Sequence, residues 1–331
     1  MEKLPLVSIV TPSYNQVDYL KDTLLSVIRQ GYPKIEYLII DGGSTDGSAE
    51  LIEDFSRKYS ERIKWHVSEK DQGQAHAINK GLLHATGDII AWLNSDDLYL
   101  LQNTIEKVVN VFNANPQLNL IYSNVVSINS DDQIINIMRY GNWSLGDLMA
   151  FNIIGQPGVF FRRDVLENVG YLDESFHYLL DHQYWLRIGI RSRIGFQDEC
   201  LAAARFHEKA KNISQSTHFS EEAFRILDWI ITSPDYQENY KKNKRKIHAG
   251  AYRFSARYLL DAQDNQQAIK HYWTSMKYHP PTAFKEIHRI LFAILNLFLP
   301  LDGLKKSYLK LKQNRLMQNQ SGKVDKWWLN D

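Results

Sequence analysis

Short runs of apolar, β-rich residues punctuate the first part of the chain, at positions 7–10, 37–40, 63–67, 89–93 and 118–123. Helix-compatible stretches such as 19–30 and 49–59 fill the gaps between the early ones. This alternation predicts βαβ units, and such units build a mostly parallel sheet with helices on both faces. In sheets of that kind ligands bind beyond the carboxyl ends of the strands. The polar clusters fall at those ends: residues 11–16 follow the first run, 41–48 the second, 68–74 the third and 94–97 the fourth. Four loops are therefore expected to converge on one rim.

From about Glu221 the pattern changes to long helical periods with few β-branched clusters. Within residues 249–280, Ala256, Tyr258, Leu259 and Leu260 precede a polar break at 261–265, and Ala268, Ile269, Tyr272, Met276 and Pro280 follow it. This predicts a helical hairpin. It looks like a single tetratricopeptide-type unit, although such repeats normally stack in arrays and an ordinary hairpin accounts for one copy as well. The expected organisation is an α/β domain over residues 1–218 and an α-helical domain over 219–331.

Composition narrows the partners rather than the fold. A chain of 331 residues with 44% apolar and 23% charged side chains is an ordinary globular protein, long enough for one large and one small domain. Its 39 basic residues against 38 acidic ones leave a net charge of +1, which supplies no field for nucleic acid. The single cysteine, Cys200, excludes an intrachain disulfide and has no neighbours for a structural zinc, so a reducing cytoplasm is expected. Residues 1–10 carry no basic segment followed by an apolar stretch of signal-peptide length. The longest nearly apolar run, 290–301, is interrupted by Asn296 and Pro300 and falls short of the ~20 residues that span a bilayer. Residues 285–315 do hold seven Lys/Arg against two Asp/Glu, a combination suited to peripheral docking on an anionic membrane surface. A buried helix explains the apolar run equally well.

Two of the rim clusters carry chemistry beyond turn-making. The segment Asp41-Gly42-Gly43-Ser44-Thr45-Asp46-Gly47-Ser48 places a carboxylate at a strand end, permissive glycines in the turn, and Ser/Thr/Asp residues suited to capping the next helix. Most of it serves any tight βα turn, but an acid in Asp41's place can accept hydrogen bonds from a base or ribose. In Asn94-Ser95-Asp96-Asp97, two adjacent carboxylates directly after an apolar strand repel each other and lose solvation unless a positive charge sits beside them. A divalent cation on a diphosphate supplies that charge, because Mg²⁺ or Mn²⁺ favours oxygen ligands and needs only one or two protein carboxylates. An exposed acidic turn capping the helix that follows is the plainer alternative.

Together with Thr11-Pro12-Ser13-Tyr14-Asn15, Asp71-Gln72-Gly73-Gln74 and Ala77-Ile78-Asn79-Lys80-Gly81, these segments occur in an order and spacing that resembles family 2 glycosyltransferases. The likeness is close over roughly the first hundred residues and extends to about residue 215. It implies the GT-A fold, a mixed, mainly parallel sheet with a nucleotide half and an acceptor half. It also implies an inverting, metal-assisted transfer from a nucleotide-sugar, with a UDP-sugar favoured, to a hydroxyl of a saccharide or lipid-linked acceptor. By the same resemblance Pro12, Tyr14 and Asn15 pack against the nucleoside, Asp41 hydrogen-bonds uracil, and Asp71 and Gly73 form a further donor loop. Asp96 contacts ribose or sugar, and Asp97 ligates Mn²⁺ or Mg²⁺. Asn94 stands where many relatives carry the first aspartate of an Asp-x-Asp signature; an amide there still suits a ribose contact.

Farther on, Gly155-Gln156-Pro157-Gly158 precedes a strand-like run at 159–162, and Asp181-His182-Gln183-Tyr184-Trp185-Leu186-Arg187 opens a helix. This resembles the family's acceptor motif, which makes Asp181 the general base, with Leu180 in place of a frequent glutamate. As a residue at a helix N-terminus, Asp181 also has a purely structural reading. Trp185 reads as core more readily than as a sugar platform. His207 corresponds to a late histidine near the metal or diphosphate in some relatives. Other classes fit less well: no Gly-x-Gly-x-x-Gly follows the first strand and no Gly-Lys-Ser/Thr phosphate loop occurs. A non-catalytic sugar-binding or scaffold protein using the helical C-terminus is the remaining alternative.

Overall fold

The computed structural model describes residues 4–207, 216–297 and 322–329. It divides into two compact units. One comprises Met1–Asn142, Ile154–Arg205 and Ser321–Asp331, and the other Trp143–Ile153 and Phe206–Gln320.

The first unit is built on a nine-stranded sheet. In chain order its strands are β1 (Val7–Ser13), β2 (Ile35–Asp41), β3 (Ile63–Ser68), β4 (Ile89–Trp92), β5 (Leu98–Tyr99), β6 (Leu120–Ile128), β7 (Ile134–Met138), β8 (Val159–Arg162) and β9 (Ile194–Arg205). The spatial order is β3-β2-β1-β4-β8-β6-β9-β5, with β7 on β6. Strands β3, β2, β1 and β4 run parallel, β8 is antiparallel to β4 and β6, and β9 is parallel to β6. Helices α1 (Val17–Ile28), α2 (Ser48–Lys58), α3 (Gln74–His84) and α4 (Thr104–Ala114) connect the early strands, and the short α5 (Leu145–Met149) and α6 (Asp164–Val169) come later in the chain.

Burial along their length explains why β1, β2 and β4 read as mainly apolar runs, while the edge strand β3 is partly exposed. On one face of β1, Val7 and Ile9 join Leu20 and Leu24 of α1 in the main core. On the other face Val10 meets α3, where a Cβ on Gly81 would lie 2.3 Å from Val10 Cγ1 and 2.7 Å from Ile40 Cδ1. Gly81 is thus what lets α3 seat against the sheet. Trp185 is fully buried and stacks on Trp92 with ring centroids 4.9 Å apart, so α7 (Leu180–Arg191) is anchored to β4 by aromatic packing, and Trp185 is core rather than a sugar platform.

In the second unit, α8 (Ser216–Thr232), α9 (Gln237–Asp261) and α10 (Asn265–Tyr278) pack in succession, followed by α11 (Pro280–Phe284) and α12 (Ile287–Asn296). A division at residue 218/219 falls inside α8. The helical hairpin expected over 249–280 is formed by the end of α9 and by α10, whose first turn is capped by Asp264 accepting from Gln267 N. The segment Trp143–Ile153 belongs with these helices because Lys246 on α9 pairs with Asp147 at 2.6 Å and Gly250 allows the close approach of the Ala150 carbonyl. Among the described residues no helix is long and apolar enough to cross a membrane.

Candidate active site

The parallel register sets Ser13 beside Asp41 and Asp41 beside Ser68, so the loops after β1, β2 and β3 start level with one another. Backbone and side-chain hydrogen bonds then stitch them together. Gly42 N donates to Ser13 O at 2.8 Å and Glu69 N to Asp41 O at 3.0 Å. Asn15, at φ 51°, receives Thr45 N on its Oδ1 at 2.9 Å, while its own N–H donates to Ser44 Oγ at 2.8 Å. An asparagine tolerates that left-handed conformation better than most residues. Tyr14 next to it is 62% exposed, which leaves its ring free to stack.

Asp41 has a different position from the one the resemblance implied. It is fully buried, and its carboxylate accepts from Gly43 N (3.1 Å), Ser44 N (2.8 Å), Ser44 Oγ (2.5 Å) and Ser68 Oγ (2.7 Å). Three of these donors converge on Oδ2 and one on Oδ1, all from the loop and its neighbouring strand. Asp41 therefore organises the loop instead of offering a free edge to a base. The carboxylate at the rim is Asp71: its Oδ2 lies 2.6 Å from where a Cβ on Gly42 would stand, and Tyr14 Cδ2 is 3.3 Å from the same point. A side chain at Gly42 would evict Asp71. Gly73, at φ 119°, donates its N–H to Asp71 Oδ1 at 2.8 Å, and a Cβ on it would meet only open space.

The loop after β4 is a tight turn in which Asp97 N donates to Asn94 O at 3.1 Å. Thr23 of α1 fixes it from behind, its hydroxyl 2.9 Å from Ser95 O and 2.8 Å from Asp97 O. Asp97 is 5% exposed; its Oδ1 accepts from Arg205 N at 3.0 Å and its Oδ2 from Asn94 Nδ2 at 3.1 Å. Burial, and after it the charge of Asp96, push the Asp97 carboxyl well above the ordinary range, and the hydrogen bonds from Arg205 and Asn94 only partly oppose this. An ionised Asp97 is thus disfavoured unless further positive charge is brought to the turn. Its hard oxygen donors, half-buried Asp96 and buried Asp97, fit a divalent cation that shares its shell with a diphosphate. Among the described residues no group of three or more His, Cys, Asp or Glu side chains gathers into a protein-only metal cage.

Asn94 is the centre of an amide network. Its Oδ1 accepts from Gln74 Nε2 at 2.9 Å, and its Nδ2 also donates to Gln156 Oε1 at 3.2 Å. Gln156 in turn donates to Trp92 O at 2.6 Å. Gln74 opens α3, and Gln156 comes from the Gly-Gln-Pro-Gly segment before β8, so three separate stretches meet at the position where an Asp-x-Asp signature would start. Asn94→Asp would replace a donor to Asp97 and Gln156 by a third carboxylate. The expected cost is about 1–3 kcal/mol, seen in calorimetry as a melting temperature roughly 3–8 °C lower in chelator-containing buffer.

Asp181 lies in the first turn of α7, half-buried, with Oδ1 accepting from His182 N at 2.7 Å. Pro12 lies within β1, paired with Ile40. His207 lies two residues beyond β9, is buried, and belongs to the helical unit; residues 208–215 that follow it are outside the described residues. Sequence reasoning missed Thr23 and Arg205, and it quoted Gln156 only within the Gly155–Gly158 segment, without its contact to Asn94. Arg205 stands two residues before His207, and a lone arginine ahead of a histidine gives no sign that it reaches the acidic turn.

A twisted, mainly parallel sheet with its loops gathered over β1, β2, β3 and β4, continued by an antiparallel part, defines a GT-A type domain. The chain belongs to glycosyl transferase family 2, whose model residues 8–178 match. It is 45% identical over 93 residues, 28% of this chain and 36% of the relative, to TuaG of Bacillus subtilis, a glycosyltransferase named for teichuronic acid biosynthesis. Alignments span 36% to 65% of the length of this and two other curated relatives. Among solved structures, a mannosyltransferase of Pyrobaculum calidifontis, PcManGT, in complex with GDP-Man and Mn²⁺ superposes with a TM-score of 0.61 at 18% identity, covering 96% of this chain and 89% of that one. Residues 1–349 of S. aureus TarS in complex with UDP-GlcNAc superpose with a TM-score of 0.55 at 14% identity, covering 86% of this chain and 92% of that one. At such identities the two likenesses concern the fold.

Proposed function

We propose that this chain transfers a sugar, with inversion, from a nucleoside diphosphate sugar to an acceptor hydroxyl, a saccharide or lipid-linked acceptor being the class implied by the family. The observation that carries the reading is the Asp96–Asp97 turn, an acidic site with Asp97 buried, at the same rim as the three loops that carry Tyr14, Gly42 and Asp71. Tyr14 offers a ring for the base, and Asp71 takes over from Asp41 the polar contact with the base edge that favours uridine. Asp96 faces ribose or sugar, with Asn94 oriented by Gln74 and Gln156. Asp97 would ligate the cation, and His207 is the further candidate ligand that the family resemblance offers. Mn²⁺ or Mg²⁺, when bound, supplies a Lewis acid for the departing diphosphate.

The chain's own groups then have separate tasks. Asp181 accepts the proton of the acceptor hydroxyl as that oxygen bonds to the anomeric carbon and the bond from that carbon to the diphosphate oxygen breaks. The α7 N-terminus favours the carboxylate form by about 0.3–1 kcal/mol. The hydrogen-bonded loops keep acceptor and donor in line, so that orientation is settled before the reaction. The exposed Ile287, Leu291 and Leu295 of α12 support peripheral membrane contact as part of the same proposal; residues 298–315 of the basic stretch 285–315 lie outside the described residues.

A screen of nucleotide sugars by thermal unfolding tests the reading. A donor that binds only the folded chain raises its melting temperature, by about 2.7 kcal/mol of stabilisation at a hundredfold excess over Kd. UDP-sugars are expected to do so with Mn²⁺ present and to lose most of the effect in chelator. Indifference to every nucleotide sugar, with and without metal, is the result that removes this function.

A further inference from the structure

Residues 322–329, the last described stretch of the chain, lie against the sheet unit as a strap. Lys323 bridges to Gln133, Ile134 N donates to Gly322 O at 3.2 Å, and Val324 N donates to Asp132 O at 3.1 Å. Trp328 is fully buried; its Nε1 donates to Asp22 Oδ1 at 3.2 Å, and its carbonyl accepts from Arg29 Nη1 at 2.6 Å. Between these anchors Lys326 Nζ pairs with Asp22 Oδ2 at 2.6 Å and with Asp132 Oδ2 at 2.8 Å. The strap thus grips α1 on one side and the β6–β7 turn on the other.

Both grips lead to the acidic turn. Asp132, at φ 64°, is held in a left-handed conformation, and its Oδ1 pairs at 2.7 Å with Arg205 Nη1, whose side chain is 1% exposed. Arg205 Nε donates to Asp96 O at 3.0 Å, and Arg205 N donates to Asp97 Oδ1 at 3.0 Å. On the other side, Asp22 adjoins Thr23, whose hydroxyl bonds the Ser95 and Asp97 carbonyls. Exposed ion pairs contribute little. A buried guanidinium is another matter, because loosening its partner leaves a charge that only rearrangement can satisfy.

We propose that this strap is a positioning element of the donor site, with Lys326 and Asp132 fixing Arg205 and, through it, the Asp96–Asp97 turn. The inference rests on the reading of that turn as the cation and diphosphate site. No strap residue need touch the donor. The strap sets how far Asp96 and Asp97 stand apart from their backing, which is the quantity a cation shared with a diphosphate is sensitive to. It also makes residues 322–329 a requirement for nucleotide binding at loops more than two hundred residues earlier in the sequence.

The 331-residue chain is titrated with UDP at a series of Mn²⁺ concentrations by calorimetry, and unliganded melting temperatures are recorded alongside. Lys326→Met is expected to raise the Mn²⁺ concentration for half-maximal UDP binding by roughly 5- to 20-fold. Lys326→Arg, which keeps charge and reach, is expected to restore it, which a loss of general folding would not allow. Asp132→Asn, nearly isosteric, carries the same expectation should Lys326→Met fail to fold. Folded variants with unchanged Mn²⁺ dependence, or a loss that Lys326→Arg does not restore, overturn the inference alone. Wild-type protein that shows no Mn²⁺-dependent UDP binding overturns the functional reading and the inference with it.

Discussion

Asp181→Asn is expected to bind the donor as the wild type does and to transfer almost no sugar. The amide keeps the shape of the side chain and an oxygen for the His182 N–H, which Asp181 Oδ1 now accepts at 2.7 Å, so α7 begins as before. What it loses is basicity. Removal of a positioned general base typically costs 10²–10⁴-fold, or about 3–5 kcal/mol of barrier. The check has two parts: calorimetric titration of the nucleotide with Mn²⁺, where the affinity should match wild type, and turnover of the donor, which should fall by roughly that factor. A variant that keeps normal turnover takes the base assignment away from Asp181.

Asp97→Ala is expected to fail earlier, at binding. It removes a carboxylate whose charge is disfavoured by burial and by Asp96, so the unliganded protein should fold without it. The cation loses a ligand, and turnover is expected to drop by about 10³-fold or more because the diphosphate departs without charge stabilisation. Metal-dependent nucleotide affinity should fall in parallel. The pair of variants therefore separates two tasks, and equal loss of donor binding in both would refute that division.

The difference between what was legible in the sequence and what was not follows the range of the interactions. Runs at 7–10, 37–40 and 89–93 became β1, β2 and β4, whose residues are buried along their length, and the run at 63–67 became the partly exposed edge strand β3; a β-rich run is a local signal. The short β5 and the strand β9 gave no such signal. Residues 194–205 mix Gly, Gln, Asp, Glu and a run of alanines, and become a strand only through pairing with β6 along most of its length. The paired acids after β4 were legible for the same reason as the strand before them.

Direction, by contrast, was not legible. A carboxylate at a strand end can face the rim or turn into its own loop, and Asp41 turns in because Ser44 and Ser68, one near in sequence and one far, both donate to it. Asp71 gains the rim because Gly42 has no side chain to occupy the space. Arg205, Asp132 and Lys326 could not be connected to Asp96 and Asp97 from the sequence at all. Their link is a chain of contacts between segments far apart in sequence, and no periodicity records it.

The central claim is that the acidic turn holds a cation together with a nucleoside diphosphate. Free Mn²⁺ followed by its paramagnetic resonance signal, while UDP is added to the wild-type protein and to Asp97→Ala, tests it most directly. The account predicts that the free signal falls well below that of Mn²⁺ and UDP alone when wild-type protein is present, and that Asp97→Ala leaves it at the protein-free level. Equal depletion by both proteins, or none by either, would contradict it.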